Sequence, residues 1–243
     1  LGQLASKLYE PWKTIYAVSA AFDSRAVGVH DIHGDDFSNA DLTDVGLVSD
    51  NATLELLWSV FKYSDYEVLE MIYAGFADGK FLGYAYFQTE GGSYSGLEAY
   101  VEPNGNSSCP WENISSHCRK SWRNMTDPDT GKYYGRANRV RFYDPRWRPW
   151  YIKCKDAKKA IWSDLYLFAG AGTGITATVP IRTMSGRFIG VVGIDYQLFA
   201  LERYLFSTLS EDDGMTAFVM DEDDKLVLCS NDNVTLRLLA SDV

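Results

Sequence analysis

The chain has few histidines and no recognisable nucleophile motif, and both shortages argue against hydrolytic chemistry. Only three His occur among 243 residues: His30 and His33 in an acidic stretch, and His117 in a polar segment beside a cysteine. No Gly-x-Ser-x-Gly sequence is present, which is the elbow motif of many hydrolases. Because Ser/His/Asp and Cys/His mechanisms need a histidine base, we predict a binding protein rather than an enzyme.

Long apolar runs and an excess of positive charge are also absent. No stretch of 18 apolar residues occurs, so the sequence predicts no membrane-spanning helix of its own. The net charge is −10, and an acidic surface disfavours nucleic acid as a partner because phosphate binding needs a basic face. Without an initiator Met or a signal peptide, the sequence is expected to be a piece of a longer protein.

Three stretches contain the residue types of a metal or phosphate site without its spacing. His30-x-x-His33 lies among aspartates, Gly170–Gly174 lacks the Gly-Lys-Ser/Thr ending of a phosphate-binding loop, and residues 221–224 are four consecutive acidic residues. Each is predicted to be a solvated loop or turn. We therefore expect no cofactor and no metal.

Cysteines and glycosylation sequons indicate an oxidising, secretory compartment. The four cysteines permit three full pairings, and Cys109 and Cys118, which share a polar loop, are the candidates for a disulfide; the other two are Cys154 and Cys229. Five of the nine asparagines stand in Asn-x-Ser/Thr sequons, an excess over chance that predicts a glycosylated, extracellular, eukaryotic protein. These are Asn51, Asn106, Asn113, Asn124 and Asn233.

Hydrophobic periodicity predicts the N-terminal half of the fold. Apolar residues recur every three or four positions over residues 1–24, which is typical of a long amphipathic helix. A shorter helix is predicted over residues 51–62. Two apolar runs, residues 69–76 and 81–87, flank an Asp-Gly turn and predict a β-hairpin. A third strand is expected near residues 97–101, and residues 103–135 are expected to form a long insertion.

The C-terminal half repeats the hairpin pattern. Residues 176–181 and 187–195 predict paired strands around a Ser-Gly turn, between helices at residues 151–160 and 196–209. A further strand, acidic turn and strand occupy residues 217–228. Together these elements predict an α+β fold with antiparallel sheets. Its parts are a long helix at 1–24, a main module at 25–210 and the incomplete start of a second module of the same kind at 211–243.

The densest group of binding side chains is the segment from Tyr143 to Tyr151, Tyr-Asp-Pro-Arg-Trp-Arg-Pro-Trp-Tyr. A guanidinium can hold a carboxylate through two parallel hydrogen bonds, and aromatic faces with a carboxylate can hold an ammonium. Alone, the segment fits an aromatic strand end packed with arginine equally well. Tyr166 and Asp195, further along the chain, add the phenol and the carboxylate that a zwitterion site needs.

The order of these residues resembles the amino-acid-binding signature of double Cache (dCache) sensor domains. The pattern is Tyr-x4-Arg-x-Trp-Tyr, then a Tyr, then an Asp, and it is filled here by Tyr143, Arg148, Trp150, Tyr151, Tyr166 and Asp195. The resemblance covers most of the chain. It implies PAS-like modules, the main one membrane-distal and the incomplete one membrane-proximal, in the ectodomain of a transmembrane receptor.

The resemblance also implies a role for each residue. Arg148 and Trp150, assisted by Tyr143, would hold the carboxylate of a free L-α-amino acid. The residues implied for its ammonium are Tyr151, Tyr166 and Asp195. The same fold leaves two alternatives, a biogenic-amine sensor and a Cache-containing auxiliary subunit of an ion channel. The membrane anchor and any enzymatic output would lie outside this sequence, and the long helix is the expected surface of a homodimer.

Overall fold

The fold was analysed in a computed structural model, which describes the chain in segments. These are residues 13–20, 50–64, 69–89, 92–103, 119–168, 172–183, 185–199, 202–203, 216, 218–220, 224 and 226–229. The helices are α1, of which residues 13–20 are described, α2 (Asp50–Phe61) and α3 (Pro149–Ala157), with a 3-10 turn at Pro145–Trp147. Residues 198–199 and 202–203 are also helical. None of the described helices has the length and apolar character needed to cross a membrane.

Of the described strands, five lie between α2 and the 3-10 turn, and six follow α3. They are β1 (Leu69–Phe76), β2 (Phe81–Thr89), β3 (Gly92–Pro103), β4 (Arg119–Thr126), β5 (Tyr133–Phe142), β6 (Ile161–Trp162), β7 (Tyr166–Phe168), β8 (Gly172–Arg182), β9 (Phe188–Gln197), β10 (Phe218–Met220) and β11 (Leu226–Cys229).

A nine-stranded sheet forms the centre of the molecule, in the order β5-β4-β3-β2-β1-β9-β8-β6, with β7 also paired to β8. All of its pairings are antiparallel. Two hairpins predicted from their turns, β1–β2 and β8–β9, are present, and β9 closes against β1 at the middle of the sheet. The predicted α+β class with an antiparallel sheet is confirmed.

The sheet has two apolar faces, because side chains alternate between the faces along each strand. On β1, Ile72 and Ala74 belong to one buried cluster, and Met71 and Tyr73 belong to the other. We name these the helix face and the site face. The helix face packs against Ile15 and Val18 of α1 and Leu57 and Phe61 of α2, and the site face packs against Trp150, Tyr151 and Cys154 of α3.

The expectation of a long insertion over residues 103–135 was wrong for its second half. Residues 119–126 form β4, and β5 begins at residue 133. The turn between them is fixed by Asp127, whose Oδ1 accepts hydrogen bonds from the backbone N–H of Asp129 and Thr130 and from the Thr130 hydroxyl. Polar strands without regular alternation escape a search for apolar periodicity, although the Asp-Pro-Asp-Thr-Gly sequence of residues 127–131 is rich in turn residues.

Several predictions concern residues outside the described segments. Of the helix expected at 1–24, residues 13–20 are described and are helical. Cys109, Cys118, Asn106, Asn113 and Asn233 lie outside the described part. Asn51 is exposed in the first turn of α2, and Asn124 lies in β4. Strands β10 and β11 form the predicted second hairpin, and the proposed boundaries at residues 25 and 211 stay predictions.

The turn between β4 and β5 docks on α2, and Gly131 makes this contact possible. Gly131 has a φ of +69°, and a Cβ at this position would collide with the indole of Trp58. The hydroxyl of Tyr84 donates to the Gly131 carbonyl at 3.1 Å, and Lys62 Nζ donates to that of Asp129 at 2.8 Å. Both backbone conformation and space therefore require glycine here.

We predict that Gly131→Ala destabilises the protein more than Gly186→Ala. Gly186 also has a positive φ, +85°, but a Cβ there would meet no atom within 4 Å. Gly186→Ala should therefore cost only the backbone strain, about 1–2 kcal/mol, whereas Gly131→Ala should add about 1–3 kcal/mol for displacing Trp58. Urea unfolding of both variants measures the difference. Equal losses would show that Trp58 does not pack against the turn.

Candidate functional site

The segment that leads into α3 is held in place by its first acidic residue. Asp144 accepts a hydrogen bond from the backbone N–H of Arg146 at 3.0 Å, which caps the 3-10 turn. The Arg146 side chain returns to the same carboxylate, with Nε–Oδ1 at 2.9 Å and Nη2–Oδ2 at 2.6 Å. It also donates to the carbonyl of Ala77 in the β1–β2 turn. Of the two arginines in the segment, Arg146 is therefore structural.

Arg148 has a different environment. It lies between the 3-10 turn and α3 in an extended conformation, with φ −87° and ψ 144°. Its Nη2 donates to the carbonyl of Leu167 in β7 at 3.0 Å. Its guanidinium carbon lies 5.9 Å from the ring centroid of Tyr143 and 5.7 Å from that of Tyr166. Among the described residues, no carboxylate forms an ion pair with Arg148.

A buried carboxylate lies on the site face of β9. Asp195 is 8% exposed, and its Oδ1 accepts hydrogen bonds from the Tyr73 hydroxyl at 2.6 Å and the Thr176 hydroxyl at 2.7 Å. The Thr176 hydroxyl is also 2.7 Å from the Tyr166 hydroxyl. A buried charge is costly unless hydrogen bonds or a counter-charge satisfy it. The hydroxyls of Tyr73 and Thr176 provide part of that stabilisation directly, and the Tyr166 hydroxyl bonds to that of Thr176.

Strand register brings these groups together. Asp195 stands opposite Thr176 on β8 and opposite Met71 on β1. Tyr73, two residues along β1, stands opposite Gly193, so its ring lies over Gly193 and its hydroxyl reaches Asp195. Residues opposite each other in antiparallel strands, and residues two apart, project from the same face. The sheet therefore fixes the carboxylate and its donors on one rigid surface.

The phenols of this network stay protonated at neutral pH. Burial raises the pKa of Tyr73 well above its usual value, and the neighbouring charge of Asp195 raises it further. Burial also raises the pKa of Tyr166, again with Asp195 as the next contribution and Tyr143 after it. Since each phenol keeps its proton, Tyr73 and Tyr166 can act as hydrogen-bond donors towards a carboxylate or a hydroxyl.

Three signature aromatics enclose the same region. The indole Nε1 of Trp150 donates to the Tyr143 hydroxyl at 3.3 Å, and both side chains are buried. Trp150 also packs edge-on against Tyr73, with ring centroids 4.7 Å apart. Tyr151 contacts Trp150 and Phe188 at 5.5 and 5.9 Å between centroids. Burial raises the pKa of Tyr151, Arg146 lowers it, and Asp144 and Asp78 raise it, so its surroundings differ from those of Tyr166.

Four of the six predicted residues lie in the buried cluster of the site face: Tyr143, Trp150, Tyr151 and Tyr166. Asp195 is the buried carboxylate on the same face. The Arg148 guanidinium lies over the rings of Tyr143 and Tyr166. Sequence reasoning missed Tyr73 and Thr176. On its strand, each stands between two apolar residues that pack on the helix face, so its own side chain projects from the opposite face. A side chain with a hydroxyl at such a position was the signal in the sequence that could have identified them.

Two cysteines belong to the described part of the chain, and both are free thiols. Cys154 is a residue of α3 whose side chain is buried in the cluster of the site face, and Cys229 is buried in β11. Burial raises the pKa of the Cys154 thiol to about 11, with small opposing contributions from Thr178 and Arg182. No disulfide is present among the described residues. The predicted bridge of Cys109 and Cys118 lies outside them.

We predict that Cys154 and Cys229 resist alkylation in the folded protein. At pH 8 the Cys154 thiol is protonated and inaccessible, and the thiolate is the reactive form. Iodoacetamide should label both residues in denaturant but leave them unlabelled under native conditions, as peptide mass spectrometry would show. If Cys154 reacts within minutes in the native protein, the face of α3 that carries it is not packed against the sheet as described.

The sequence comparison gives a family match over the segment that contains the site. Residues 112–203 match the family described as methyl-accepting chemotaxis protein-like, first PDC sensor domain. This range includes all six signature residues, from Tyr143 to Asp195. The resemblance to sensor domains that the sequence predicted is confirmed.

Solved structures of sensor domains are similar to this chain at low sequence identity. The extracellular domain of the putative histidine kinase mmHK1S-Z3 is 14% identical, with a TM-score of 0.50 over 94% of this chain and 65% of that chain. The ligand-binding domain of the Pseudomonas aeruginosa PAO1 amino acid chemoreceptor PctC, in complex with GABA, is 16% identical, with a TM-score of 0.46 over 93% and 70%. The ligand-binding domain of the Pseudomonas fluorescens chemoreceptor CtaA, in complex with L-valine, is 18% identical. Its TM-score is 0.48 over 92% of this chain and 66% of that chain.

The family match covers the part of the chain from β4 to β9, which includes α3 and all six signature residues. Residues 112–203 therefore resemble a PDC sensor domain, within an antiparallel sheet that has helices on both faces. The chain spans about two thirds of the length of the solved chains that it matches.

Proposed function

We propose that this chain is the extracellular ligand-binding part of a transmembrane receptor and that it binds a free L-α-amino acid. The match to a chemotaxis-protein-like sensor domain supports a sensory role. The geometry of the site supports the class of ligand. No chemistry on the ligand is needed for this role, and a membrane anchor and an output domain would belong to parts of the protein outside this sequence.

One observation carries the proposal: a cation and an anion flank the same tyrosine without pairing with each other. The Arg148 guanidinium lies 5.7 Å from the ring centroid of Tyr166. The Tyr166 hydroxyl is 2.7 Å from that of Thr176, which donates to Asp195. A free amino acid carries a carboxylate and an ammonium on one carbon. A ligand spanning this ring would meet a guanidinium at one end and a carboxylate at the other.

In this arrangement the carboxylate of the ligand binds Arg148 and takes the single indole N–H of Trp150, which then no longer donates to the Tyr143 hydroxyl beside it. Its ammonium binds Asp195 and Tyr166, with Tyr151 as the third predicted residue. Hydrogen bonds to charged groups contribute about 1.5–3 kcal/mol each, and micromolar affinity needs about 8 kcal/mol. Four or five such bonds therefore suffice after the losses of desolvation and entropy.

We predict that Arg148→Ala weakens the binding of an L-amino acid at least about tenfold, because removing one partner of a charged pair costs about 2–5 kcal/mol. Asp195→Asn keeps the shape of the side chain but removes its charge, so a loss of similar size is expected. The amine formed by removing the ligand carboxylate should be insensitive to Arg148→Ala and sensitive to Asp195→Asn. Calorimetry with the twenty L-amino acids and their amines measures each affinity.

Arg182→Ala is the matched control. Arg182 makes the same two kinds of contact as Arg148, a hydrogen bond to the Gly186 carbonyl at 2.9 Å and a position 5.9 Å from the Phe188 ring centroid. It should leave the affinity unchanged. Equal binding by the wild type and Arg148→Ala would contradict the site assignment. Tighter binding of an amine than of its parent amino acid would replace the proposal with an amine sensor.

The proposed extracellular, eukaryotic origin rests on the sequons, since the Pseudomonas structures give it no support. We predict glycans on at least two of the five sequon asparagines when the protein is made in a eukaryotic secretory pathway. Asn51 is the described candidate with an exposed side chain. The intact mass before and after glycosidase treatment measures the modification, and an unchanged mass would contradict the prediction.

A further inference from the structure

Two residues outside the six-residue pattern hold the carboxylate of the proposed ammonium site. Tyr73 and Thr176 are 1% and 0% exposed. Their hydroxyls lie 2.6 and 2.7 Å from the same oxygen, Oδ1 of Asp195. They come from the two strands on either side of β9, so the carboxylate is held from both neighbours.

The direction of each hydrogen bond in this network follows from counting hydrogens. An ionised carboxylate only accepts hydrogen bonds, and a hydroxyl has one hydrogen to donate. Thr176 donates its hydrogen to Asp195, so the bond between Thr176 and Tyr166 must have Tyr166 as donor. The hydrogen of Tyr166 is then directed into the protein. Its oxygen keeps an acceptor lone pair for a donor that approaches from the ligand side.

We propose that Tyr73 and Thr176 are positioning residues that make this site selective for an ammonium group. Tyr73 and Thr176 fix the orientation of the Asp195 carboxylate, and Thr176 also turns the Tyr166 hydroxyl so that its oxygen acts as an acceptor. An ammonium has three donors and no acceptor, and it fits two such oxygens. This inference rests on the proposed function and adds to it the residues that set the selectivity.

The packing at Gly193 supports a requirement for Tyr73 at this place. A Cβ on Gly193 would lie 2.5 Å from Cε2, 2.7 Å from Cζ and 2.9 Å from the hydroxyl oxygen of Tyr73. Gly193 does not have a positive φ, so backbone conformation does not demand glycine there. The space that a side chain would fill is occupied by the end of the Tyr73 ring that carries the hydroxyl.

The test compares each ligand with its hydroxy analogue. The probes are the L-amino acid that binds tightest among the twenty and the 2-hydroxy acid with the same side chain, the second measured by competition in the calorimeter. The hydroxy acid keeps the carboxylate but replaces the ammonium with a neutral hydroxyl. We expect the ratio of the two affinities to fall about tenfold in Tyr73→Phe and in Thr176→Val, because hydrogen bonds to a charged group are the strong ones.

Matched controls remove the same groups elsewhere. Tyr84→Phe deletes a buried hydroxyl bonded to the Gly131 carbonyl, on the helix face. Thr178→Val deletes a buried hydroxyl bonded to the Ile161 carbonyl, two residues along β8 from Thr176. Both should leave the affinity ratio unchanged even where stability falls. Thr176→Ser keeps the hydroxyl and should restore the ratio towards the wild-type value.

Each outcome decides between two explanations. A lower ratio in Tyr73→Phe and Thr176→Val, with unchanged controls, supports the inference. An unchanged ratio in these variants, with amino acid binding intact in the wild type, overturns it and leaves the proposed function standing. An equal fall in Tyr84→Phe or Thr178→Val also overturns it, since the effect would then be one of general packing. If the wild type binds none of the twenty amino acids, the proposed function fails and the inference fails with it.

Discussion

The need to stabilise one buried carboxylate connects most of the site. Asp195 belongs to β9, a central strand of the sheet, where water cannot solvate the charge and neighbouring groups must do so. β1 supplies Tyr73, β8 supplies Thr176, and β7 supplies Tyr166, which reaches Asp195 through Thr176. The pairing of these strands is therefore also the arrangement that holds the site.

The opposite charge is supplied by a separate element. Asp144 and Arg146 fix the turn before α3, and this leaves Arg148 at the start of the helix with its guanidinium over two tyrosine rings. The two charges thus come from different parts of the fold, a strand and a helix start. A ligand that bonds to both would link α3 to the sheet, which is a route by which binding could shift the relative populations of two conformations.

The elements with strong local signals could be predicted from the sequence, and those that depend on pairing could not. The Asp-Gly turn after β1 and the Ser-Gly turn before β9 predicted two hairpins. The strands β4 and β5 have polar sequences, and their formation depends on the pairing of β4 with β3 and of β5 with β4. Tyr73 was missed for a similar reason. Its importance arises from the register that places it over Gly193, and local sequence does not reveal that register.

The central claim is that one site reads both charges of a zwitterion, and a crystal structure of the chain with a bound L-amino acid tests it most directly. The account predicts the ligand carboxylate within about 3 Å of the Arg148 guanidinium and the Trp150 Nε1. It predicts the ligand ammonium within the same distance of the Asp195 carboxylate and the Tyr166 hydroxyl. An amino acid bound with its ammonium away from Asp195, or bound outside the site face, would contradict the account.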